Sequence, residues 1–309
     1  MTMNILAIDI GGSQCRTAVA TISHTGVTFA PISQRHLPSD CSKEKLFAAL
    51  DESIAESAPA GNYERIGITI PGLADSENGI WKYACFSGIR NVPIAKIMSE
   101  KLGGKPAFID NDVNACALAE RYFGNCRETK DFLWMTVSNG IGGGLVLDGK
   151  IYRGHFGNAG EIGHFCVVEE NGTRCGCGHY GCLEAEAAGP GIARRYAVLR
   201  KDATHVLTAK EIADRARQGD ELAISVFDTT GFLIGKAASF AVNLLNLEKV
   251  VIGGGVSRSF DLLLPLMESS FRSKIFGDAN PNTVFAQTGL GYDAGLVGAA
   301  ALTNTEFET

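Results

Sequence analysis

The chain has 309 residues, of which 45% are hydrophobic and 20% charged, and its formal net charge is −6. This length and apolar content are enough for two buried cores, so we expect two domains. The negative charge and the lack of a Lys/Arg-rich stretch argue against nucleic acid as a partner. The start MTMNILAID has no basic segment followed by an apolar run, which indicates a cytoplasmic protein rather than a secreted one.

The chain opens with two predicted strands joined by a glycine turn. NILAID is an apolar run, CRTAVATI alternates and carries β-branched residues, and IGGSQ stands between them. A dinucleotide-binding fingerprint and a Walker loop both need their glycine turn to open a helix, so this strand-to-strand turn argues against both. KEKLFAALDESIAES and VPIAKIMSEKL then predict helices, whereas ERIGITIPG and PAFID predict short strands.

The opening pattern recurs in the middle of the chain. FLWMTVSN predicts a strand, GIGGG a turn and LVLDGKIY a second strand. This weak internal repeat predicts two related halves with a cleft between them. Further on, Thr208 and Glu211 form a capping-box pair at a helix start, and a long helical region follows at about 220–247. Its most apolar part, GFLIGKAASFAVNLLNL, is interrupted by Lys236 and is too short for a bilayer, so we expect a buried helix and no membrane partner.

One histidine and three cysteines stand close together in the run GEIGHFCVVEENGTRCGCGHYGCLE. His164, Cys175, Cys177 and Cys182 are a complete tetrahedral ligand set for structural zinc. The alternative is that the cysteines are ordinary buried or disulfide-forming residues, but their crowding and the interleaved glycines favour the metal. The remaining cysteines are predicted to be free thiols, mostly in the core: Cys15, Cys41, Cys85, Cys116, Cys126 and Cys166.

The glycine-rich run VSNGIGGGLVLDGKIYRGHFGNAGEIGH, followed by CGCGHYGCLE, resembles the signature of the ROK family, whose best known members are bacterial sugar kinases. AIDIGG, DNDVNACALAE, VVIGGGV and DAGLVGAA extend the resemblance to both ends of the chain. It implies the α/β class and an actin-like ATPase (ribonuclease H-like) fold, with two domains and an interdomain cleft. We expect a small N-terminal domain at 1–115, to which a C-terminal helix at about 292–309 returns, and a large domain at 116–291 that carries the zinc loop.

The resemblance also implies ATP and Mg²⁺. Asp9 stands directly before the first glycine turn, where a carboxylate can hold Mg²⁺, although an Asp that only caps a turn is the alternative. The family usually has Thr-Lys after these two glycines and Gly-Thr before the second glycine turn. This chain has Ser13-Gln14 and Ser138-Asn139 instead, which predicts an altered nucleotide affinity. The predicted nucleotide-binding residues are Asp9, Gly11, Gly12, Ser13, Ser138, Asn139, Gly140, Gly142, Gly253, Gly254 and Gly255.

Asp112 is the predicted general base. It follows the strand PAFID and precedes the helix VNACALAERYF, where a carboxylate can accept the proton of a sugar 6-hydroxyl, although Asp is also a good N-cap at such a place. The match to the family's Asn-Asp pair favours the base. By the same resemblance, Glu161, His164 and Glu184 contact sugar hydroxyls. The predicted substrate-binding residues are Gly72, Asn111, Asp112, Glu161, His164 and Glu184.

The predicted function is therefore ATP-dependent phosphorylation of a hexose at its 6-hydroxyl, as in glucokinases, with N-acetylmannosamine or N-acetylglucosamine kinase activity as the alternative. Family members usually form homodimers, and the same is expected here. Some members are transcription regulators with an added N-terminal helix-turn-helix domain, whereas this sequence begins with the strand NILAID. A non-catalytic sugar-sensing protein, suggested by Gln14 and Asn139, is the alternative from another class.

Overall fold

The computed structural model describes residues 2–23, 26–38, 40–84, 86–202 and 204–304. The strands are β1 (Met3–Ile10), β2 (Gln14–Ser23), β3 (Gly26–Phe29), β4 (Ser33–His36), β5 (Arg65–Ile70), β6 (Leu73–Asp75), β7 (Ile80–Tyr83), β8 (Arg90–Val92), β9 (Ala107–Asn111), β10 (Phe132–Val137), β11 (Ile141–Leu147), β12 (Lys150–Ile151), β13 (Lys249–Gly253) and β14 (Val284–Gln287). The helices are α1 (Lys43–Ser57), α2 (Ile94–Lys101), α3 (Asp112–Phe123), α4 (Leu183–Ala187), α5 (Gly189–Arg200), α6 (Ala209–Arg217), α7 (Glu221–Leu245), α8 (Phe260–Arg272) and α9 (Ala294–Ala301).

The chain divides into two compact units of similar length. Unit 1 takes in the described residues of 1–128, 150–159 and 289–309, and unit 2 those of 129–149 and 160–288. In the unit 1 sheet, β1 pairs antiparallel with β2 and parallel with β5, and β5 pairs parallel with β9, which gives the order β3-β2-β1-β5-β9. The register places Asp9 beside Thr69, and Thr69 beside Asp110, at the carboxyl ends of these parallel strands. This is the edge at which open α/β sheets bind ligands.

The unit 2 sheet starts in the same way. β10 pairs antiparallel with β11 and parallel with β13, which pairs parallel with β14, so the strand order again begins with a hairpin and continues with parallel strands. The structure differs from the sequence prediction in one respect, because β11 already begins at Ile141 and Gly142 therefore lies in a strand, opposite Thr136, rather than in the turn. Gly143 is also in this strand, where a Cβ would lie 2.8 Å from the carbonyl oxygen of Gly160. The glycines thus allow another backbone to pack on β11.

Helix α3 packs against α9 in unit 1. Leu118 and Ala119 form one apolar cluster with Val297 and Ala301. The apolar face of α3 is therefore covered by the returning C-terminal helix, and the boundary between the units falls after α3, whereas the sequence analysis placed it after residue 115. The returning helix itself spans Ala294–Ala301, and residues 305–309 of the predicted segment lie outside the described residues.

Helix α7 is the long helical region that the sequence predicts in unit 2. Asp220 caps its start, and Asn246 ends it in the left-handed conformation with φ of 54°. Gly235 allows α8 to approach closely, because a Cβ at this position would lie 2.1 Å from the carbonyl oxygen of Met267. Among the described residues, the structure contains no helix with both the length and the apolar character needed to cross a membrane.

Candidate active site

The end of β9 places Asn111 and Asp112 side by side. Asn111 is the N-cap of α3, because its side-chain oxygen accepts the N–H of Val113 at 2.9 Å. Asp112 is the first residue within the helix, and its carboxylate Oδ1 also lies 2.9 Å from the N–H of Val113. The N-cap that the sequence offered as an alternative explanation of Asp112 therefore belongs to its neighbour.

Gly72, predicted to bind the substrate, is hydrogen-bonded to Asn111 at the same edge of unit 1. The side-chain amide of Asn111 donates to the carbonyl oxygen of Gly72 at 2.8 Å. Gly72 has φ of 85°, and a Cβ there would lie 2.2 Å from the carbonyl oxygen of Tyr83, so glycine alone fits. The structure thus brings together Gly72, Asn111 and Asp112.

A buried ion pair lies at the end of β9, directly before Asn111 and Asp112. The side chain of Asp110 is 1% exposed, and its Oδ2 accepts a hydrogen bond from Nε of Arg153 at 2.8 Å and lies 2.8 Å from Nη2. Its Oδ1 accepts the backbone N–H of Asn111 at 2.7 Å and the side-chain amide of Asn114 at 3.1 Å. These contacts fix the strand end that leads into Asp112. Neither Asp110 nor Arg153 was among the residues predicted from the sequence.

Asp9 lies at the end of β1, next to the first glycine turn. The hydroxyl of Thr69 donates to its Oδ1 at 2.8 Å, and a Cβ at Gly295, in the first turn of α9, would lie 2.4 Å from its Oδ2. Desolvation raises the pKa of Asp9, against the lowering effects of the Thr69 hydrogen bond and of the Arg16 charge. The carboxylate is therefore packed between the hairpin and a helix N-terminus, which has a positive end.

The turn after Asp9 is stabilised by its own backbone and by Gln14. The N–H of Gly11 donates to the carbonyl oxygen of Gln14 at 2.8 Å, so this amide is already engaged, whereas Gly12 and Ser13 are exposed. The side-chain amide of Gln14 donates to the hydroxyl of Tyr292 at 3.2 Å. Gln14, which stands where the ROK signature has Lys, is thus positioned by an aromatic residue of the C-terminal segment.

In unit 2, the turn between β10 and β11 lies against a large cavity. The cavity has a volume of about 560 Å³, and the predicted residues Ser138, Asn139 and Gly255 are among those that line it. Gly253 and Gly254 are not among its lining residues. A Cβ at Gly253 would lie 2.1 Å from the Trp134 ring, and Gly254 has φ of 82°, so packing and backbone conformation explain these two glycines.

The cavity also has a wall that the sequence analysis did not identify. This wall comes from α5, from α6 with the segment before it, and from the turn at 255–259 that precedes α8, and it includes Pro190, Thr208, Lys210, Asp214, Arg217 and Arg258. Thr208 and Glu211 form the predicted capping box, which is therefore confirmed. The basic residues Lys210 and Arg217 are seven positions apart on an amphipathic helix, a pattern that indicates a shared face but not what the face covers.

The predicted zinc ligands converge in unit 2. The ligand atoms of His164, Cys175, Cys177 and Cys182 all lie within 4.8 Å of one another. Sγ of Cys177 is 3.7 Å from Sγ of Cys182, too far for a disulfide bond, and Sγ of Cys175 is 3.7 Å from Nδ1 of His164. Tetrahedral zinc with Zn–S bonds of about 2.3 Å separates its sulfur ligands by about 3.8 Å, so the geometry fits this metal.

A hydrogen bond from the backbone of His179 is the main cause that lowers the pKa of Cys177 to about 6, which favours the metal-binding thiolate. Of the six cysteines predicted to be free thiols, Cys85 lies outside the described residues; among the other five, Cys166 is exposed and the remaining four are buried.

The predicted sugar ligands of unit 2 surround this cluster. Nδ1 of His164 faces the cysteines, while its Nε2 lies 3.7 Å from Oε2 of Glu161. The two nitrogens of one imidazole can therefore serve the metal and the carboxylate separately. Glu184 lies two residues after Cys182, and its Oε2 accepts the N–H of Ile141 at 3.0 Å. Glu184 thus contacts the turn beside the cavity, a contact that the sequence did not predict.

The family model described as "ROK family" matches residues 5–306. The chain belongs to the ROK family. A glucokinase from Halalkalibacterium halodurans is 37% identical to this ROK chain over 77% of the chain and 75% of the relative. The DNA-binding transcriptional dual regulator NagC from Escherichia coli is 31% identical over 92% of the chain and 72% of the relative.

A solved ROK structure has the same fold. The crystal structure of a ROK family glucokinase from Streptomyces griseus in complex with glucose and AMPPNP is 28% identical, covers 97% of this chain and 98% of that one, and superposes with a TM-score of 0.83. The predictions of the family and of its α/β, actin-like ATPase fold are therefore confirmed. Both the kinases and the regulators of the ROK family resemble this chain.

Proposed function

We propose that this ROK chain is a sugar kinase that transfers the γ-phosphoryl group of ATP to the 6-hydroxyl of a hexose, with glucose as the first candidate. The observation that carries the proposal is the Asn111–Asp112 pair, in which Asn111 caps α3 and the Asp112 carboxylate stands at the open end of the sheet. The similarity to glucokinases, one of them bound to glucose and AMPPNP, supports the same reaction.

Asp112 is the general base of this proposal. Its carboxylate takes the proton of the 6-hydroxyl while the hydroxyl oxygen forms a bond to the γ-phosphorus and the bond from that phosphorus to ADP breaks. Asn111 and Gly72, joined by their hydrogen bond, keep the neighbouring backbone in place. Glu161, His164 and Glu184 bind sugar hydroxyls, for which a carboxylate and an imidazole are suitable partners.

ATP is the proposed nucleotide, with Mg²⁺ as its metal. Asp9 supplies a hard oxygen ligand of the kind that Mg²⁺ prefers, and bound Mg²⁺ neutralises charge on the transferring phosphates. The cavity beside Ser138 and Asn139, at about 560 Å³, is large enough for an adenosine. Its lining includes Lys210 and Arg217, whose side chains are paired with Asp214 and Asp261, respectively.

Zinc is the proposed occupant of the His164, Cys175, Cys177 and Cys182 cluster. It supplies a structural cross-link that keeps the loop bearing Glu161 and Glu184 in one conformation. The short distances among the four ligand atoms support this assignment.

The substrate is tested by measuring ADP release with Mg-ATP and a panel of glucose, mannose, fructose, allose, N-acetylglucosamine and N-acetylmannosamine. We expect turnover with glucose, and turnover only with an N-acetylhexosamine would select the alternative kinase. Asp112→Asn should lower kcat by about 10²- to 10⁴-fold and leave sugar binding intact. Undiminished turnover in this variant would remove the general base.

A sugar-sensing regulator is the second candidate, because Gln14 and Asn139 depart from the ROK signature and NagC is 31% identical to this chain. A regulator would bind sugars from the panel without releasing ADP. We expect no DNA binding, given the net charge of −6, and a specific complex with DNA would support the regulator instead.

We also propose a homodimer. Phe232, Phe240 and Leu244 follow each other at helical spacing on α7, with exposed fractions of 40%, 40% and 80%. Such a row of large apolar side chains is typical of an interface. Leu244→Glu should therefore shift the mass measured by light scattering to that of a monomer.

A further inference from the structure

The carboxylate of Glu184 contacts the backbone of the turn at residues 138–141. Its Oε2 accepts the N–H of Ile141 at 3.0 Å, and a Cβ at Gly140 would lie only 2.5 Å from the same oxygen. The Glu184 side chain is partly buried at this place. One carboxylate oxygen therefore contacts the turn, while Oε1 lies 3.9 Å from Sγ of Cys175, one of the four predicted zinc ligands.

The segment after Glu184 binds the opposite end of the same turn. The N–H of Gly189, at the start of α5, donates to the carbonyl oxygen of Ser138 at 2.8 Å. Within the turn, the N–H of Ser138 donates to the carbonyl oxygen of Gly140 at 2.9 Å. The turn is thus hydrogen-bonded to α4 through Ile141 and to α5 through Ser138. The large cavity is lined in part by Ser138, Asn139 and Gly189, so these hydrogen bonds shape one wall of it.

Helix α4 connects this contact to the metal cluster. Cys182 stands directly before α4, and its carbonyl oxygen accepts the N–H of Glu186 at 3.1 Å. The N–H of Leu183 donates to the carbonyl oxygen of Phe165 at 2.9 Å. Only Leu183 therefore separates Cys182, a predicted metal ligand, from the residue whose carboxylate accepts the N–H of Ile141.

We propose that Glu184 positions the turn at 138–141 for the nucleotide, in addition to binding sugar, so that nucleotide affinity depends on Glu184 even when no sugar is present. This inference rests on the proposed function. Glu184 belongs to the loop at 160–184 (the metal loop) and is one of the proposed sugar-binding residues, and its Oε2 accepts the N–H of Ile141 in the turn, so in this proposal one side chain links the two substrates. A residue that only binds sugar would have no effect on the nucleotide alone.

The experiment measures the Kd of Mg-AMPPNP by calorimetry without sugar, on protein whose zinc content is equal in all variants. Glu184→Ala should weaken binding about tenfold, the effect of losing one hydrogen bond to a charged group. Glu184→Gln should stay near wild type, because the amide oxygen still accepts the N–H of Ile141. Glu161→Ala is the matched control, since it removes another loop carboxylate and should raise the sugar KM without changing the Kd of AMPPNP.

Gly140→Ala provides a second variant that approaches the contact from the turn. Its methyl group meets the Glu184 carboxylate at 2.5 Å and should also weaken AMPPNP binding. In the Glu184→Ala background the same methyl group no longer meets a carboxylate, so adding Gly140→Ala should not raise the Kd of AMPPNP any further. If wild type and Glu184→Ala had the same Kd for AMPPNP while the variant bound sugar more weakly, this inference would be overturned and the proposed function would stand. Failure of the wild type to bind AMPPNP would overturn the proposed function as well.

Discussion

Arg153→Met tests whether the Arg153–Asp110 ion pair positions Asp112, the proposed general base. The substitution leaves the Asp110 carboxylate, 1% exposed, without its cation. Removing one partner of a fully buried ion pair costs about 3–5 kcal/mol. Arg153 is 28% exposed, and Asp110 retains the hydrogen bonds from Asn111 and Asn114, so we expect a smaller loss of about 2–3 kcal/mol.

The two tryptophans allow this loss to be measured in one unit. Trp81 is buried in unit 1 and Trp134 in unit 2. In a Trp134→Phe background, the fluorescence of Trp81 follows the urea unfolding of unit 1. Asp110→Asn should cost less than Arg153→Met, because it removes the buried charge rather than isolating it. The double variant should be more stable than the sum of the single losses predicts.

The same variants should reduce kcat more than they change the sugar KM, since the ion pair fixes the strand end that leads into Asp112. Arg153→Lys, which retains the charge, should recover part of both losses. A change of less than about 0.5 kcal/mol in Arg153→Met, together with an unchanged kcat, would refute the reasoning, because surface substitutions without a structural role fall in this range.

Four further outcomes are expected. A chelator should lower the Tm of unit 2, measured by Trp134 fluorescence in a Trp81→Phe background, together with the activity, because it would remove the proposed zinc. Gln14→Lys should lower the KM for ATP, with the larger gain at low ionic strength in steady-state assays. Gly72→Ala should abolish turnover in ADP-release assays, because its Cβ would lie 2.2 Å from a carbonyl oxygen. A hydrogen bond from the Tyr196 hydroxyl is the main cause that lowers the pKa of Asp220. The stability that this contact adds is therefore present above the unfolded-state pKa of about 3.9, and it is lost as pH falls through the lower folded-state pKa. Asp220→Asn should therefore flatten the decrease in Tm at acid pH.

Local patterns predicted the parts of the fold that depend on neighbouring residues. The two strand-turn-strand patterns became the hairpins that open both sheets, and the Thr208–Glu211 spacing became a capping box. The His/Cys run also converged as predicted, since its ligands are close in the chain. The choice between Asn111 and Asp112 as the N-cap was not decidable from sequence, because both residue types cap helices well and only the backbone conformation selects one.

The ion pair and the cavity wall could not be predicted in this way. Arg153 and Asp110 are 43 residues apart, and their contact depends on the return of the segment 150–159 to unit 1. An isolated Arg in a loop is ordinarily a surface charge, so its sequence carries no sign of this role. The same holds for Lys210 and Arg217, whose helical spacing shows a common face but not the cavity that the face borders.

The glycines of the ROK signature allow the metal loop to pack closely on the hairpin that contains the turn at 138–141. A Cβ at Gly160 would lie 1.9 Å from the carbonyl oxygen of Gly143, and one at Gly163 would lie 1.9 Å from that of Ile141. The start of the metal loop is therefore packed directly onto the backbone of β11, and Glu184 adds a hydrogen bond from its far end. Because both ends of the loop contact the same hairpin, we expect a change in the loop to reach the turn at 138–141, of which Ser138 and Asn139 line the large cavity.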